Sequence, residues 1–543
     1  MPQKLKKLDH FLGRPGPLML IIMDGVGIGR QDDSNGVYLA KTPCLDKLFK
    51  QEWYTTLQAH GTAVGMPSDN DMGNSEVGHN VLGAGRVFAQ GALLVQNSIN
   101  SGTIFQSDAW EQIVGRAKKD GQALHLIGLL SDGNVHSHIE HLFSILRHTA
   151  KEGIKNACVH ALLDGRDVYE KSALTYIEKT EEVLKDINAA HQVHYQIASG
   201  GGRMVTTMDR YNADWSVVKR GWDAHVLGKA RTFSSAQEAV ATYYREDPDM
   251  TDQYLDSFVI EKDGAPVGTI NDGDAVVFFN FRGDRAIEIS RAFEEKKFFE
   301  FDRERVPDVL YAGMMEYDGD LHIPKHYLVS PPQIDRTLGT YLCQAGIRSF
   351  AISETQKFGH VTYFWNGNKS GYIDEKLEKY IEVPSDKIKF DKAPKMKAYE
   401  ITEEVIRLLR SGEFQFGRLN FANGDMVGHT GIKEAIVTAM EAVDECVSKI
   451  IDVVNELEGV ALVTADHGNS EEMYTEKKNK RSVSTAHSLN PVPFAIIDSG
   501  YQGEYKMADL KKKGLSNIAA TILNFLGYEK PDDYDPSLIE FVK

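Results

Sequence analysis

The sequence contains no long hydrophobic run and few cysteines. No window approaches the roughly 18 consecutive apolar residues that a membrane-spanning helix needs. The first apolar run, residues 18–23, is too short for the hydrophobic region of a signal peptide. Four cysteines are scattered through 543 residues without paired spacing, which excludes a disulfide framework or zinc knuckle and is typical of free thiols in a reducing compartment. We expect a cytoplasmic protein that has no membrane partner.

Positive charge is also in short supply. Lysine and arginine number 61 against 78 aspartates and glutamates, and the formal net charge of −17 argues against nucleic acid as a partner. An anionic substrate would therefore need a local pocket of arginines inside a surface that is negative overall. The chain is too long for one ordinary core, so we expect two domains.

One serine lies in a glycine-punctuated stretch, residues 72–86, which reads MGNSEVGHNVLGAGR. The pattern predicts that Ser75 occupies the first turn of a helix. Free backbone N–H groups and the helix dipole favour an anion at such an end, so a phosphorylated serine would be stabilised there. A serine hydroxyl is a poor nucleophile and needs a base or a metal to deprotonate it. We interpret His79, further along the same helix, as a structural residue.

Three strand-like apolar runs, at residues 18–23, 418–423 and 460–465, lead into aspartates. The aspartates and the histidines near them are Asp24, Asp425, His429, Asp466, His467 and His487. In open parallel sheets, ligands gather at the carboxyl ends of strands, so we expect these side chains to converge. Together with the Ser75 oxygen they would hold two divalent ions, which can ionise a serine and neutralise a phosphate. Mixed oxygen and nitrogen donors suit Mn²⁺, Co²⁺, Fe²⁺ or Zn²⁺ better than Ca²⁺ and do not choose among these four.

Each of these motifs has a simpler interpretation when it is taken alone. An Asp-Gly pair after a strand is usually a turn, because both residues suit turn geometry. Asp425 and His429 are also compatible with a surface loop, and an isolated histidine such as His487 is more often a core or surface residue. The joint occurrence of the motifs with the Ser75 stretch favours the metal site.

Between about residues 88 and 331, strand-like and helix-like runs alternate, which predicts βαβ units and a parallel sheet. Polar residues follow four of the predicted strands: His136, Arg166, Asp167, Arg203, Arg210, Arg282 and Arg285. The planar fork of arginine binds phosphate and carboxylate oxygens in pairs, so five arginines could hold a small molecule that carries both groups. Arginines after strands can also simply solvate loop tips.

The order of these motifs resembles that of the cofactor-independent (2,3-bisphosphoglycerate-independent) phosphoglycerate mutases, which belong to the metal-dependent alkaline-phosphatase-like superfamily. The resemblance covers nearly the whole chain and includes residues 72–86, 131–138, 163–167, 279–286, 354–362 and 464–469. It implies an α/β fold of two domains, each a mainly parallel sheet flanked by helices. A phosphatase-like metal-binding domain would comprise residues 1–87 and 332–543, with a substrate-binding domain inserted at residues 88–331. Closure of the two domains would exclude water from the substrate.

The same resemblance divides the metal ligands into two sets. Asp425, His429 and His487 would hold one ion, and Asp24, Ser75, Asp466 and His467 would hold the other. Mn²⁺ or Co²⁺ is expected first, with Mg²⁺, Zn²⁺ or Fe²⁺ as alternatives, and 2,3-bisphosphoglycerate is not expected as a cofactor. The family also implies a monomer.

The implied reaction interconverts 3-phosphoglycerate and 2-phosphoglycerate through a phosphoserine at Ser75. Lys357 would neutralise charge on the transferring phosphoryl group and also contact the substrate. Asp167 would move protons at the glycerate hydroxyls, with its pKa depressed by Arg166, and His136 would bind the migrating phosphate; these two roles are interchangeable at this stage. The remaining substrate ligands would be Arg166, Arg203, Arg210, Arg282 and Arg285.

Residues 201–210 depart from the commoner bacterial form, which is aromatic after the first arginine and one residue shorter. The departure affects the expected pose of Arg203 more than that of Arg210. Three alternatives share parts of this pattern: a hydrolase of the same superfamily, a phosphopentomutase-like enzyme that lacks the five arginines, and a non-catalytic scaffold or anion sensor with a decayed site.

Overall fold

The chain divides into two units. Unit 1 comprises Met1–Gln90 and Gln333–Lys543, and unit 2 comprises Gly91–Pro332, so unit 2 is inserted into a discontinuous unit 1. The computed structural model describes residues 4–66, 68–210, 213–318, 322–330, 334–477 and 480–542. Among the described residues, no helix combines the length and the apolar character that crossing a membrane requires.

The N-terminal segment of unit 1 contains two strands and three α-helices. They are β1 (Leu18–Met23), α1 (Gly36–Leu39), α2 (Pro43–Leu48), β2 (Tyr54–Leu57) and α3 (Ser75–Ala84), with a 3-10 helix at Gly61–Val64.

Unit 2 follows with nine strands and seven α-helices among its described residues. They are α4 (Gly91–Ser101), α5 (Asp108–Ala117), β3 (Leu124–Leu129), α6 (Ile139–Lys151), β4 (Asn156–Leu163), α7 (Ala173–His191), β5 (His194–Gly202), α8 (Trp215–His225), β6 (Arg231–Phe233), α9 (Ala236–Glu246), β7 (Phe258–Lys262), β8 (Ala265–Pro266), β9 (Ala275–Phe278), α10 (Ile287–Glu294), β10 (Leu310–Met315) and β11 (Tyr327–Val329), with 3-10 helices at Thr103–Gln106 and Asp252–Tyr254.

The C-terminal segment completes unit 1. Its elements are α11 (Leu338–Gln344), β12 (Ser349–Glu354), α12 (Thr355–Gly359), a π-helix (His360–Phe364), β13 (Glu378–Val383), a 3-10 helix (Phe390–Lys392), α13 (Ala398–Arg410), β14 (Phe416–Phe421), α14 (Asn423–Gly428), α15 (Lys433–Glu456), β15 (Val460–Thr464), β16 (Tyr474–Lys477), β17 (Lys480–Val483), β18 (Val492–Asp498), β19 (Tyr505–Met507), α16 (Asn517–Phe525) and β20 (Ile539–Phe541).

The main sheet of unit 1 has seven strands in the order β13-β12-β14-β1-β15-β18-β2. The first five strands run parallel to one another. Strand β18 pairs antiparallel with β15, and β2 pairs antiparallel with β18. All six residues of β1 are buried, as expected for a strand covered on both faces of a parallel sheet. Met23 pairs with Phe421, and Ile22 pairs with Thr464. The carboxyl ends of β1, β14 and β15 therefore lie side by side.

The sheet of unit 2 has nine strands in the order β11-β10-β9-β3-β4-β5-β7-β6, with β8 paired to β7. Among the described residues of this sheet, only the β5–β7 and β7–β8 pairs are antiparallel, so the predicted α/β class with mainly parallel sheets is confirmed. One predicted element ends differently. The strand expected at residues 418–423 stops at Phe421, and Asp425 lies in the short helix α14 instead of a loop. In unit 2, β5 continues to Gly202 and leads directly into Arg203, one of the residues expected to follow a strand.

Helix α3 shows how the local sequence sets an element. Asn74 is its N-cap, and the side-chain oxygen of Asn74 accepts a hydrogen bond from the Val77 backbone N–H, which stabilises a helix start. Gly85 ends the helix in the left-handed conformation with a φ of 64°, a role that suits glycine. Ser75 is therefore the first residue of a well-defined helix, as predicted.

Close packing of α3 gives a prediction for stability. We expect Gly83→Ala to lower the midpoint of thermal unfolding, because a Cβ there would lie 2.0 Å from the Trp365 carbonyl oxygen, and overpacking of this kind costs about 1–3 kcal/mol. Gly115→Ala in α5 is the matched control, since nothing lies within 4 Å of its added Cβ. Alanine is preferred over glycine inside helices by roughly 0.5–1 kcal/mol, so this variant should keep or raise the midpoint. Calorimetry that finds the same shift in both variants would contradict the packing argument.

Candidate active site

Ser75 is buried at the start of α3, with 3% of its surface exposed. Its Oγ lies 3.2 Å from Asp24 Oδ1 and 3.0 Å from His467 Nε2. The Lys357 ammonium group also donates a short hydrogen bond to this oxygen. A hydroxyl surrounded by a carboxylate, an imidazole and an ammonium group, at a helix N-terminus, is set up for a reaction that involves an anion.

The carboxylates of Asp24, Asp425 and Asp466 gather at the sheet edge where β1, β14 and β15 end. Lys357 Nζ donates to Asp24 Oδ1 at 2.9 Å and to Asp425 Oδ2 at 2.7 Å. Asn420 Nδ2 donates to the other oxygen of Asp24 at 2.6 Å. The Lys357 ammonium group thus lies among the acidic groups and compensates part of their charge.

Three histidines present their Nε2 atoms to these carboxylates. His429 Nε2 and His487 Nε2 lie 3.0 and 3.1 Å from Asp425 Oδ1, and 3.2 Å from each other. His467 Nε2 lies 3.3 Å from Asp24 Oδ1.

The Nδ1 atom of each of these rings faces a backbone carbonyl oxygen. The distances are 2.5 Å from His429 to Thr485, 2.8 Å from His487 to Gly73, and 3.2 Å from His467 to Gly468. Since a carbonyl only accepts, each Nδ1 donates. This pattern fixes the ring orientation and directs Nε2 to a metal in many metal sites.

The donors fit divalent cations. Two groups of ligand atoms lie within 4.8 Å of one another: Asp425, His467 and His487 form one, and Asp24, Asp466 and His467 form the other. Within the described part of the chain, the buried Oδ2 of Asp466 accepts no hydrogen bond. A buried carboxylate oxygen without a donor is costly unless a cation compensates it. The structure brings all seven predicted ligands together, including Ser75 and His429. The two groups share His467, and neither of them contains His429.

The charges in this site shift one another's ionisation. Burial lowers the pKa of His467, but the carboxylates of Asp466, Asp24 and Asp425 outweigh it and raise the pKa to about 9. Burial raises the pKa of Asp466, but the attraction of His467 outweighs it, and the net pKa is below the ordinary value. For Lys357 the burial penalty is likewise outweighed by Asp24 and Asp425, which hold its pKa above the ordinary range.

Several polar residues surround this site that the sequence analysis did not select for the metal centre. Asn420 holds Asp24, and Asn469 Nδ2 donates to Asp425 Oδ1 at 3.1 Å. Asn420 is a polar residue in β14, whose six residues are all buried. A polar residue inside such a strand is a sequence signal that could have identified it. His79 Nδ1 donates to the Ser75 carbonyl at 2.8 Å and lies 3.3 Å from Asp466 Oδ2, which agrees with a structural role.

In unit 2, the predicted residues gather after β3, β4, β5 and β9. Arg203 is 1% exposed, and its Nη1 donates to Asp164 Oδ1 at 2.8 Å and, in a shorter contact, to Asp167. Burial raises the pKa of Asp167, but the charge of Arg203 is the strongest opposing influence, Arg166 acts in the same direction, and the net pKa is lowered. The depressed pKa was predicted, but its main cause is Arg203 and not Arg166.

Asp284 was not predicted as a functional residue, although it lies inside the quoted stretch 279–286. Its Oδ2 accepts from Arg210 Nη1 at 3.2 Å, and its Oδ1 lies 3.3 Å from Arg282 Nε and 3.5 Å from His136 Nδ1. Arg285 Nη1 donates to the Met208 carbonyl at 2.5 Å. An aspartate between two arginines in sequence was the signal that could have found Asp284.

The electrostatics of this cluster favour an anionic ligand. Burial and the repulsion of Arg210, Arg203 and Arg166 hold the pKa of Arg285 well below its ordinary value. Burial, together with Arg203, also holds the pKa of His136 well below its ordinary value, so this imidazole is neutral. The positive groups are in excess locally, in a chain that is negative overall.

Comparison with known proteins gives the family. A family model described as the Metalloenzyme superfamily matches residues 16–530. The 2,3-bisphosphoglycerate-independent phosphoglycerate mutase of Trypanosoma brucei brucei is 51% identical and covers 96% of this chain and 97% of its own length. The enzyme of the same name from Zea mays is 51% identical over 96% of this chain and 95% of that one. The chain belongs to the 2,3-bisphosphoglycerate-independent phosphoglycerate mutase family.

A solved structure supports the same assignment. The crystal structure of Leishmania mexicana phosphoglycerate mutase at low cobalt concentration matches with a TM-score of 0.93 and 51% identity, over 99% of this chain and 100% of that chain. The predicted family is therefore confirmed, and the chain is an isomerase of the mutase family. The phosphopentomutase-like and non-catalytic alternatives are set aside. The roles of individual site residues stay predictions.

The pKa of His467 gives a prediction for metal binding to this mutase. At pH 7 the His467 imidazole of the metal-free protein carries a proton, because its pKa is about 9. A metal must displace that proton, so Mn²⁺ affinity should rise with pH and level off above about pH 9. Calorimetric titration in two buffers of different ionisation enthalpy should detect proton release at pH 7. Affinity that is constant between pH 7 and 9 would contradict the assignment.

The same group affects the stability of the metal-free protein. The pKa of His467 in the folded protein exceeds the ordinary histidine value of about 6.5, so its stabilising contribution is complete below about pH 6.5 and is lost as the pH rises through about 9. The thermal midpoint of chelated protein should fall across this window, and in the control variant His467→Asn this part of the pH dependence should disappear.

Proposed function

We propose that this protein interconverts 3-phosphoglycerate and 2-phosphoglycerate through a phosphoserine at Ser75, without 2,3-bisphosphoglycerate. The observation that carries the proposal is the position of the Ser75 hydroxyl at the N-terminus of α3, within 3.2 Å of Asp24 and 3.0 Å of His467 and in contact with Lys357. The full-length relatives named for this activity support the choice of substrate.

We propose that unit 1 is the metal-binding domain and unit 2 the substrate-binding domain. In unit 1, Asp425, His429 and His487 would hold one divalent ion, and Asp24, Ser75, Asp466 and His467 would hold the other. When bound, the two ions would favour ionisation of the serine and neutralise phosphate charge. Mn²⁺ or Co²⁺ suits these donors, and the low-cobalt condition of the Leishmania mexicana structure agrees with Co²⁺.

The protein's own groups then account for the transfer of the phosphoryl group. Ser75 Oγ attacks the phosphorus in line, the bond from phosphorus to the 3-oxygen of glycerate breaks, and the proton of the serine hydroxyl passes to that oxygen, so that glycerate is left with a free 3-hydroxyl. The Lys357 ammonium group, which already contacts Ser75 Oγ, neutralises the transferring group and the leaving oxygen. The N-terminus of α3 stabilises the phosphoserine, because backbone N–H groups and the helix dipole favour an anion there.

Unit 2 would retain glycerate while the glycerate re-orients, so that the 2-hydroxyl takes the position that the 3-hydroxyl had. Arg166, Arg210, Arg282 and Arg285 bind the carboxylate and phosphate oxygens, and the return of the phosphoryl group to the 2-oxygen gives the product. Arg203 contributes by holding Asp167 ionised, so that Asp167 accepts and returns the proton of the glycerate hydroxyls. His136 is neutral and donates a hydrogen bond to the phosphate. The cytoplasmic location and the monomeric state stay predictions.

The proposal is tested by following 3-phosphoglycerate by ³¹P NMR with Mn²⁺-loaded protein and no added 2,3-bisphosphoglycerate. We expect conversion to 2-phosphoglycerate without free phosphate, loss of activity on chelation, and recovery when Mn²⁺ or Co²⁺ is restored. Release of free phosphate and glycerate would identify a hydrolase instead. Activity that survives complete chelation would contradict the role of the metals.

The nucleophile is tested by Ser75→Ala. We expect kcat to fall by about 10⁴-fold or more, because removal of an essential nucleophile from a catalytic unit has effects of this size. Ser516→Ala is the matched control, since Ser516 is also a buried serine in unit 1, where it immediately precedes α16 and its Oγ bonds to Asp535. Mass spectrometry of protein quenched during turnover should find a phosphorylated peptide around Ser75 in the control only. Substantial turnover by Ser75→Ala would rule out the phosphoserine.

A further inference from the structure

A chain of hydrogen-bonded side chains crosses the interior of unit 2. All of its members are buried, and they come from the strands β3, β4 and β5, from the turn that precedes β9, from α8 and from the loop after β5. In order along the chain, they are Asp274, His125, His160, Ser199, His225 and Thr207. We call this set the histidine relay.

The links of the histidine relay are all of hydrogen-bonding length. His125 Nε2 lies 3.1 Å from Asp274 Oδ2, and His125 Nδ1 lies 2.9 Å from His160 Nε2. Ser199 Oγ then bridges two rings, at 2.6 Å from His160 Nδ1 and 2.7 Å from His225 Nδ1. Finally, His225 Nε2 lies 2.9 Å from Thr207 Oγ1.

The chemistry of these groups gives the relay a direction. Burial raises the pKa of Asp274, but its hydrogen bond with His125 outweighs this and lowers the pKa, so Asp274 is ionised and only accepts. Burial lowers the pKa of His160 well below its ordinary value and that of His225 to about 3, so each ring carries a single N–H. When His125 also carries one N–H, every donor points towards Asp274 and no member is left unsatisfied. In this arrangement the Thr207 hydroxyl donates to His225.

The far end of the relay holds a strained residue. Thr207 has a φ of 70°, in the left-handed region that a β-branched residue rarely adopts. Its backbone N–H donates to the Val217 carbonyl at 2.8 Å. Gly221 of α8 makes room for the side chain, since a Cβ there would lie 2.0 Å from Thr207 Oγ1. Such strained positions persist where the surrounding structure enforces them, and they concentrate at functional sites.

The loop that contains Thr207 also carries groups of the arginine cluster. Arg203 pairs with Asp167 at the start of this loop. The carbonyl of Met208, next to Thr207, accepts from Arg285, and Arg210 ends the loop against Asp284. Thr207 therefore lies between Arg203 and Arg210 in this loop and next to the carbonyl that Arg285 contacts.

We propose that the histidine relay positions the loop 203–210 for substrate binding, with Thr207 and His225 as positioning residues. The proposal deepens the function proposed for unit 2 and rests on it. The relay links this loop to the rigid centre of the sheet, so that the arginine cluster is assembled before the substrate binds. Preorganisation of this kind strengthens binding, because the entropy cost of ordering the loop is not subtracted from the free energy of binding.

Two pairs of variants separate the hydrogen bond from the packing. Thr207→Val removes the hydroxyl and keeps the shape, whereas Thr207→Ser keeps the hydroxyl. The amide of His225→Gln reaches the position of Nε2 and keeps an acceptor for Thr207, whereas the amide of His225→Asn reaches only the position of Nδ1. We expect Thr207→Val and His225→Asn to lower kcat/KM for 3-phosphoglycerate by about 10- to 100-fold, mainly through KM. The other two variants should remain within about threefold of the wild type.

A structural control and a functional control accompany these variants. Thr149→Val removes a buried threonine hydroxyl, which bonds to the Ile145 carbonyl in α6, and should leave KM unchanged. Hydrogen exchange of residues 203–210 should accelerate in Thr207→Val and not in Thr149→Val. Arg282→Ala should raise KM and thereby shows that the assay detects substrate binding by unit 2.

The outcomes distinguish the two proposals. If Thr207→Val matches Thr149→Val in both KM and loop exchange, the positioning role of the relay is overturned. If Arg282→Ala leaves KM unchanged, the substrate assignment of unit 2 fails. In that case loop exchange alone decides whether the relay holds the loop.

Discussion

Burial of like charges at one sheet edge is the constraint on which the active site depends. The parallel register of β1, β14 and β15 brings the carboxylates of Asp24, Asp425 and Asp466 together in the interior. Buried carboxylates are tolerated only when cations and hydrogen-bond donors compensate them. The Lys357 ammonium group, the protonated His467 and the amide of Asn420 supply that compensation in the metal-free protein. The same concentration of negative charge would attract divalent metals.

Unit 2 has the opposite excess of charge, which is positive. Its cluster contains more arginines than nearby carboxylates, and Asp284, Asp164 and Asp167 compensate only part of the positive charge. Burial lowers the pKa of Arg285, and the repulsion of the neighbouring arginines lowers it further. An anionic ligand would relieve that repulsion, and the fork geometry of arginine would orient it. Such a cluster would let an acidic protein bind a substrate that carries two anionic groups, because the charge that matters is the local charge and not the total of −17.

Much of the chemistry could be predicted because it lies in short, local patterns. An apolar run followed by aspartate identified the strand and placed a candidate ligand directly after it, as for Asp24 and Asp466. The stretch around Ser75 predicted the helix start, which the structure has at Ser75. Sequence reasoning was less successful where a contact depends on a residue far away in the chain. The dominant influence of Arg203 on Asp167 was missed because Arg166 is the sequence neighbour, whereas Arg203 reaches Asp167 from the next strand in the sheet.

The sequence by itself determined the fold class and the family, and it supplied the candidate residues for binding metals and phosphate, because hydrophobic periodicity and short motifs are properties of neighbouring residues. Tertiary structure alone decided which of these groups are neutral, charged or already paired, since burial and distance set their ionisation. It also decided the histidine relay, whose members lie on separate elements between His125 and Asp274 and have no common spacing. Only the alignment of β9, β3, β4 and β5 in one sheet brings those side chains into a continuous line.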